Sequence, residues 1–189
     1  SQRFSFAVAL RQGWTKHFTG TTVLKIPLVL IGFDPLMVIF CGGLNAVYQF
    51  FLHTETVDRM PRWFEAVFNT PSHHRVHHGK NPKYLDANYA GTLIIWDKMF
   101  STFVPEDLEE HPDYGLVKDF ETYNPFRIFI HEYLGIAKDI TRRDLSLRER
   151  LLYIFAPPGW SHDGSRQTSL DIKKAAGVHL ASVKAKMFV

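Results

Sequence analysis

Between residues 23 and 52 the chain is almost without charge: only Lys25 and Asp34 interrupt the apolar pattern. Apolar residues fill 23–33, stop at Asp34-Pro35, and resume over 36–52. Asp before Pro is a helix-start signal, with the carboxylate as cap and the ring at the first helical position. The pattern predicts two helices joined by a tight turn at residues 32–35. The second is long enough to cross a hydrocarbon core of roughly 30 Å, which takes about 17–25 residues. The first becomes a span only if residues 18–22 join it and Lys25 snorkels or faces protein. A helical hairpin buried in a soluble core fits the same pattern, and the flanking charges favour the membrane. Arg3, Arg11 and Lys16 precede the hairpin, Arg59 and Arg62 follow it, and its tip carries only Asp34. By the positive-inside tendency both ends are expected in the cytoplasm. Gly42-Gly43 would let a neighbouring helix approach closely.

Beyond residue 55 the apolar pattern weakens and prolines punctuate the chain, at Pro61, Pro71 and Pro82. Pro105, Glu106, Asp107, Glu109 and Glu110 read as an acidic loop. Residues 126–140 and 147–155 have helical apolar spacing and are expected as amphipathic helices that pack on the domain or lie on the membrane surface. Pro157-Pro158-Gly159 breaks the pattern, and a short, frayed helix is expected after it. The expected fold is all-α: a membrane helical hairpin followed by a helical cytosolic cap with a His-rich metal site. It is read as one domain over 1–189, with a hairpin (1–55), a histidine region (56–104) and a C-terminal helical region (105–189).

Composition narrows the function. Lys plus Arg number 22 and Asp plus Glu 19, for a formal charge of +3, with no basic run. That balance argues against a nucleic-acid partner. The single cysteine, Cys41, excludes a disulfide framework and is expected as a small buried hydrophobe. A load of 16 Phe, 7 Tyr and 4 Trp suits lipid pockets and membrane interfaces. The chain opens on Ser1 without a signal-peptide pattern, which reads as a fragment or a processed chain.

The chemistry lies in residues 69–79, NTPSHHRVHHG. Thr70 can cap a helix, Pro71 suits its first position and Gly79 its end. His74, His77 and His78 then stand at i, i+3 and i+4 on one face of a two-turn helix, where three imidazoles can meet one or two metal ions. His73 joins them from the side or supports them from behind. Four histidines within six residues have no ordinary packing rationale, so metal binding is expected. Imidazole suits zinc, iron, copper and nickel alike, although structural zinc usually takes cysteine as well. His53, at the end of the second apolar helix, would emerge on the same side as the cluster. Glu55 could orient a ligand imidazole or cap the next segment. Asp86 and Asn88 either hydrogen-bond a ligand ring or shape an Asx turn. His17, His111, His131, His162 and His179 are isolated and read as structural or surface residues.

Three stretches resemble the second half of the fatty acid hydroxylase/sterol desaturase superfamily: residues 49–55 (QFFLHTE), 69–79, and 88–103 (NYAGTLIIWDKMFSTF). Within it they are similar to the bacterial sterol desaturase branch and the alkylglycerol monooxygenase branch. Residues 156–169 (APPGWSHDGSRQTS) resemble the C-terminal end of the bacterial members. The resemblance implies an integral membrane enzyme whose cytosolic cap holds two non-haem irons among eight or more histidines. It matches His53, His74, His77 and His78 to metal ligands and His73 to a histidine of the same motif. Members also carry an earlier HxxxH and an earlier HxxHH motif. Neither occurs here, so the chain is expected to be a truncated form, too poor in imidazole to hold two metals tightly and inactive by itself.

Two functions are expected from these features. One is a dioxygen-dependent lipid hydroxylase or desaturase acting on a fatty acyl chain, a sterol, a carotenoid or an ether lipid. Its electrons would come from a separate donor, a redox partner or a reduced pterin, because no flavin, haem or nicotinamide motif is visible. Its location would be the bacterial inner membrane or the endoplasmic reticulum, with the metal on the cytoplasmic side. The other is a non-catalytic membrane protein with a degenerate single-metal (zinc) site.

Overall fold

In a computed structural model, residues 3–10, 23–117, 122 and 124–178 are described. They form nine α-helices and, among the described residues, no strand beyond two isolated bridges, Phe68 with Leu93 and Gly79 with Tyr114. The described residues divide into two compact units, those up to Val117 and those from 122 onward.

In the first unit a short helix α1 (Phe6–Ala9) is followed, after a 3-10 turn at Val23–Lys25, by α2 (Ile26–Leu30). Gly32, at φ +106°, turns the chain where glycine alone is at ease. Asp34 then caps α3 (Pro35–Leu52), accepting hydrogen bonds from the amides of Leu36 at 2.8 Å and Met37 at 3.1 Å. The turn and the second helix thus form where the sequence predicts. The first arm is shorter in its described part, two small pieces of helix, and residues 18–22 lie outside the described residues. Among the described helices α3 alone is long and apolar enough to cross a membrane. Its surface is open on nearly every side: Leu36, Met37, Ile39, Phe40, Leu44, Val47 and Phe51 are all exposed. Cys41 is exposed with them, which corrects its expected burial. A helix that is apolar all round has no inward face to hide a small residue in.

The last two turns of α3 pack against the loops on either side of α5 and α6. Tyr48 donates to the Asn69 carbonyl at 2.7 Å, and Thr92 donates to Asn45 Oδ1 at 2.7 Å. Gly91 lies so close that a Cβ there would overlap the side-chain amides of Asn45 and Gln49. α4 (Arg62–Val67), α5 (Pro71–His77) and α6 (Ile95–Phe100) follow, and Val76 of α5 forms a small core with the loop residues Tyr84, Ala87 and Val104. Asp97 is buried and holds the loop before α6: its carboxylate accepts from the amides of Tyr89 and Ala90, each at 2.8 Å, and from Thr102 Oγ1 at 2.6 Å.

In the second unit Asn124 caps α7 (Pro125–Ile140). Ser146 and Glu149 form a capping box on α8 (Leu147–Phe155), and Thr168 with Asp171 does the same for α9 (Ser169–Ala175). α7 and α8 pack together, and Arg166 grips the Asp139 carboxylate through two hydrogen bonds of 2.7 and 2.9 Å.

Candidate metal centre

Thr70 caps α5 and Pro71 occupies its first turn, so the helix begins as the sequence predicts. It also ends just before Gly79: His78 is the C-terminal cap in ordinary helical conformation, and Gly79 follows it as a close-packing residue, where a Cβ would stand 3.0 Å from Tyr84 Cδ2.

Two turns of helix bring His74, His77 and His78 to one side of α5, and the end of α3 brings His53 to meet them. The His53 ring lies 4.4 Å from that of His74 and 5.0 Å from that of His78, centre to centre. His77 completes the group at 5.5 Å from His74 and 5.2 Å from His78. Ring nitrogens of His53, His74 and His78 all fall within 4.8 Å of one another. His73 turns elsewhere. One residue along a helix rotates the side chain by about 100°, and its ring stands edge-on to Phe103, with Nε2 at 4.0 Å from Glu65 Oε2.

Backbone carbonyls orient two of the imidazoles. His53 Nδ1 lies 2.7 Å from the Gln49 carbonyl and His77 Nδ1 lies 3.2 Å from that of Ala87. An N–H donated to each carbonyl leaves the Nε2 lone pair of the same ring free. His53 Nε2 then faces His74 Nε2 at 3.3 Å. Burial holds His74 at a pKa of about 2, helped by the neighbouring His78, His53 and His77. Burial, followed by His77 and His53, lowers His78 to about 4. Burial also lowers His53, against the hydrogen bond that it donates to the Gln49 carbonyl.

A neutral, buried imidazole group of this kind fits a metal ion. One shared proton can bridge the His53–His74 pair, but it leaves the third nitrogen of the group unused and the buried His74 Nδ1 without a hydrogen-bond partner among the described residues. Two nitrogens bound to one ion at about 2.1 Å stand at most about 4.2 Å apart, a limit that the His53–His74 separation meets.

The three polar residues expected behind the ligands act less directly. Glu55 is exposed and hydrogen-bonds Tyr114, whose hydroxyl pKa is pushed up by burial and then by that carboxylate. Asp86 pairs with Tyr89, whose pKa rises to about 12 through burial and then this neighbour. Asn88 is buried, donates to the carbonyls of His73 at 3.0 Å and Val104 at 2.8 Å, and accepts from the Val104 amide at 2.8 Å. It staples α5 to the loop that supplies the Ala87 carbonyl. Asp86 and Asn88 both sit at positive φ, 46° and 52°, in keeping with a loop-shaping role.

Four residues around the centre are not among those that the sequence singles out as ligands or their supports. Phe4 stacks on His53 at 5.3 Å and on Tyr114 at 5.1 Å, closing the cluster with apolar surface. Arg75 is buried and grips Glu106 through Nε at 2.9 Å and Nη2 at 2.7 Å. It also donates to the carbonyls of Thr54, Val57 and Asp58 at 3.2, 2.7 and 2.6 Å, which ties α5 to the segment just after His53. The position of Arg75 inside the histidine motif is the one signal that could have found it. Phe4, Tyr114 and Glu106 are distant in sequence, and their pattern carries none. Of the isolated histidines, His131 bonds the Ile128 carbonyl and His162 bonds Tyr153, both in the second unit, and His111 is exposed. His17 and His179 lie outside the described residues.

Comparison with known proteins gives the family. The sequence model of the fatty acid hydroxylase family matches residues 1–102. Alkylglycerol monooxygenase of Xenopus tropicalis is 47% identical over 161 residues, covering 85% of this chain and 34% of that protein. The Homo sapiens alkylglycerol monooxygenase is 36% identical over 160 residues, covering 85% of this chain and 35% of that protein. An ornithine lipid hydroxylase of Rhizobium tropici is 30% identical over 92 residues, covering 49% of this chain and 28% of that protein. The chain thus spans about a third of the length of these relatives. No solved structure matches it.

Proposed function

The chain belongs to the fatty acid hydroxylase family, and on that premise we propose that it is the metal-binding part of a membrane enzyme that hydroxylates a lipid with dioxygen. The observation that carries the reading is the position of the imidazole cluster. His53 follows α3 directly, so the cluster lies at the end of the described helix that can cross a membrane. A lipid would reach it from the bilayer without passing through bulk water. The relatives' names support a lipid substrate, one acting on alkylglycerol and another on an ornithine lipid. A fatty acyl, sterol or ether lipid all fit this class.

His53, His74, His77 and His78 would hold the metal, and His73 would act from behind α5. Iron bound there would supply dioxygen activation, with imidazole ligands that leave coordination positions open. The chain's own residues prepare the site. Gln49 and Ala87 fix the ring tautomers, and burial keeps His74 and His78 neutral and ready to bind. Arg75 and Glu106 hold α5 against the end of α3, while Phe4 and Tyr114 exclude water. Glu55, Asp86 and Asn88 support this layer through Tyr114, Tyr89 and the backbone. A centre with two irons needs more imidazoles than these, and the two further histidine motifs that the resemblance calls for would supply them. Electrons would come from an external redox partner or a reduced pterin. The enzyme would be integral to the bacterial inner membrane or the endoplasmic reticulum, with the cluster on the cytoplasmic side.

The test is product analysis. The full-length protein is supplied with iron, a reductant, isotopic dioxygen and a total membrane lipid extract. A lipid that gains one oxygen from dioxygen, absent with His77→Ala, is the expected result. Label arriving from water would overturn the proposal.

A further inference from the structure

The first unit contains a concavity of about 420 Å³, which His73 lines and the four histidines of the cluster do not. Arg59, Arg62 and Lys98 stand around it. Among the described residues none of the three is ion-paired to a carboxylate within 4.0 Å: Arg59 donates to the Glu106 carbonyl at 2.8 Å, and Lys98 to the carbonyls of Glu65 and Ala66, each at 3.0 Å. Two carboxylates share the wall. Both oxygens of Glu106 are taken by Arg75, which cancels its charge. Glu65 Oε1 accepts from the Met60 amide and from Thr70 Oγ1, each at 3.1 Å. Three cations therefore face one uncompensated acid. Such a surplus around a concavity attracts an anion, and an arginine fork matches phosphate geometry.

The outer faces of the same two helices identify the source of the anion. Lys98 of α6 bonds carbonyls of α4, so the two helices are neighbours. α4 presents Trp63 and Val67 outward, and α6 presents Trp96, Met99 and Phe100, with Trp63 71% and Phe100 71% exposed. Exposed tryptophans beside basic residues are what a lipid headgroup zone selects. Gly91 and Thr92, in the loop before α6, pack against Asn45 and Gln49 at the end of α3. The loop that leads into α6 thus meets the end of the candidate span.

We propose that Arg59, Arg62 and Lys98 form a binding site for the phosphate of an anionic membrane lipid, whose acyl chains lie along the aromatic face of α4 and α6. The site is distinct from the imidazole cluster and holds a lipid as an anchor. The inference rests on the proposed membrane placement of α3, which sedimentation with plain phosphatidylcholine vesicles reads separately.

Calorimetric titration of the full-length protein with dihexanoyl phosphatidylglycerol, below its micelle concentration, tests the site. Binding is expected, weaker by about fivefold in Arg62→Gln and by about twenty-five-fold in Arg59→Gln/Arg62→Gln, with each cation near a membrane surface contributing a similar factor. Arg62→Lys, which keeps the charge, is expected to retain binding. Thermal unfolding of each variant identifies any that fails to fold, and Arg62, exposed at the rim, is the replacement expected to leave folding intact. Dihexanoylglycerol, which lacks the phosphate, is expected not to bind. Equal affinity for dihexanoylglycerol, or unchanged affinity in the folded double variant, would overturn the proposal. Inorganic phosphate binding as tightly as the lipid would also overturn it, assigning the cavity to a soluble anion.

Discussion

His53 caps the end of α3 and His74 lies in α5, with α4 between them along the chain, yet their Nε2 atoms stand 3.3 Å apart. His53 is held by the carbonyl of Gln49 on its own helix, and His74 by the capped start of α5. Arg75 fixes the distance between them, because its side chain reaches from α5 to the backbone just after His53.

This relationship separates the histidines of the motif. In the full-length protein, His53→Ala and His74→Ala are expected to lower metal content and to cut affinity by more than the 10- to 100-fold, roughly, that supporting residues control. His73→Gln is expected to retain metal, because its ring faces Phe103 and Glu65. Elemental analysis of purified variants checks this, and loss of metal in His73→Gln with retention in His74→Ala would reverse the assignment.

Glu106→Gln should destabilise the first unit by about 3–5 kcal/mol, because it leaves the buried Arg75 guanidinium with only the exposed Asp58 carboxylate, at 3.9 Å, as counter-charge. Glu106→Asp, which keeps the charge on a shorter side chain, should cost less. Denaturant titration followed by circular dichroism measures both. An effect below about 1 kcal/mol in Glu106→Gln would mean that the three backbone carbonyls suffice for Arg75.

Gly91→Ala should cost about 1–3 kcal/mol by overpacking against α3. The added methyl would meet Asn45 and Gln49. Asn45→Ala in the same chain should recover part of that loss, while itself losing the hydrogen bond from Thr92. A double variant no more stable than Gly91→Ala would show that the clash is not relieved at Asn45.

Membrane topology can be read with single cysteines. Cys41 is exposed, so Cys41→Ser is the necessary background. Cysteines placed at Phe33, exposed at the tip of the hairpin, and at Asp58, exposed just past His53, should react with an impermeant reagent from opposite sides of sealed vesicles. Labelling of both from the same side would contradict a spanning α3.

Local sequence determined the elements of this protein. Asp34-Pro35 and Thr70-Pro71 start α3 and α5 because capping and proline geometry act within one helical turn. The i, i+3, i+4 spacing brought His74, His77 and His78 together for the same reason, and the apolar run set the length of α3. Relationships that depend on contacts between distant segments were decided only in three dimensions. Whether His73 shares the cluster turned on the packing of Phe103, and whether Asp86 or Asn88 touches an imidazole turned on which atom of their loop points inward. That atom proved to be a backbone carbonyl, which every residue carries and no sequence pattern marks. Arg75 with Glu106, Phe4 with His53, and Gly91 against α3 join residues tens of positions apart. Periodicity reports which face of an element is apolar; it does not report what that face meets.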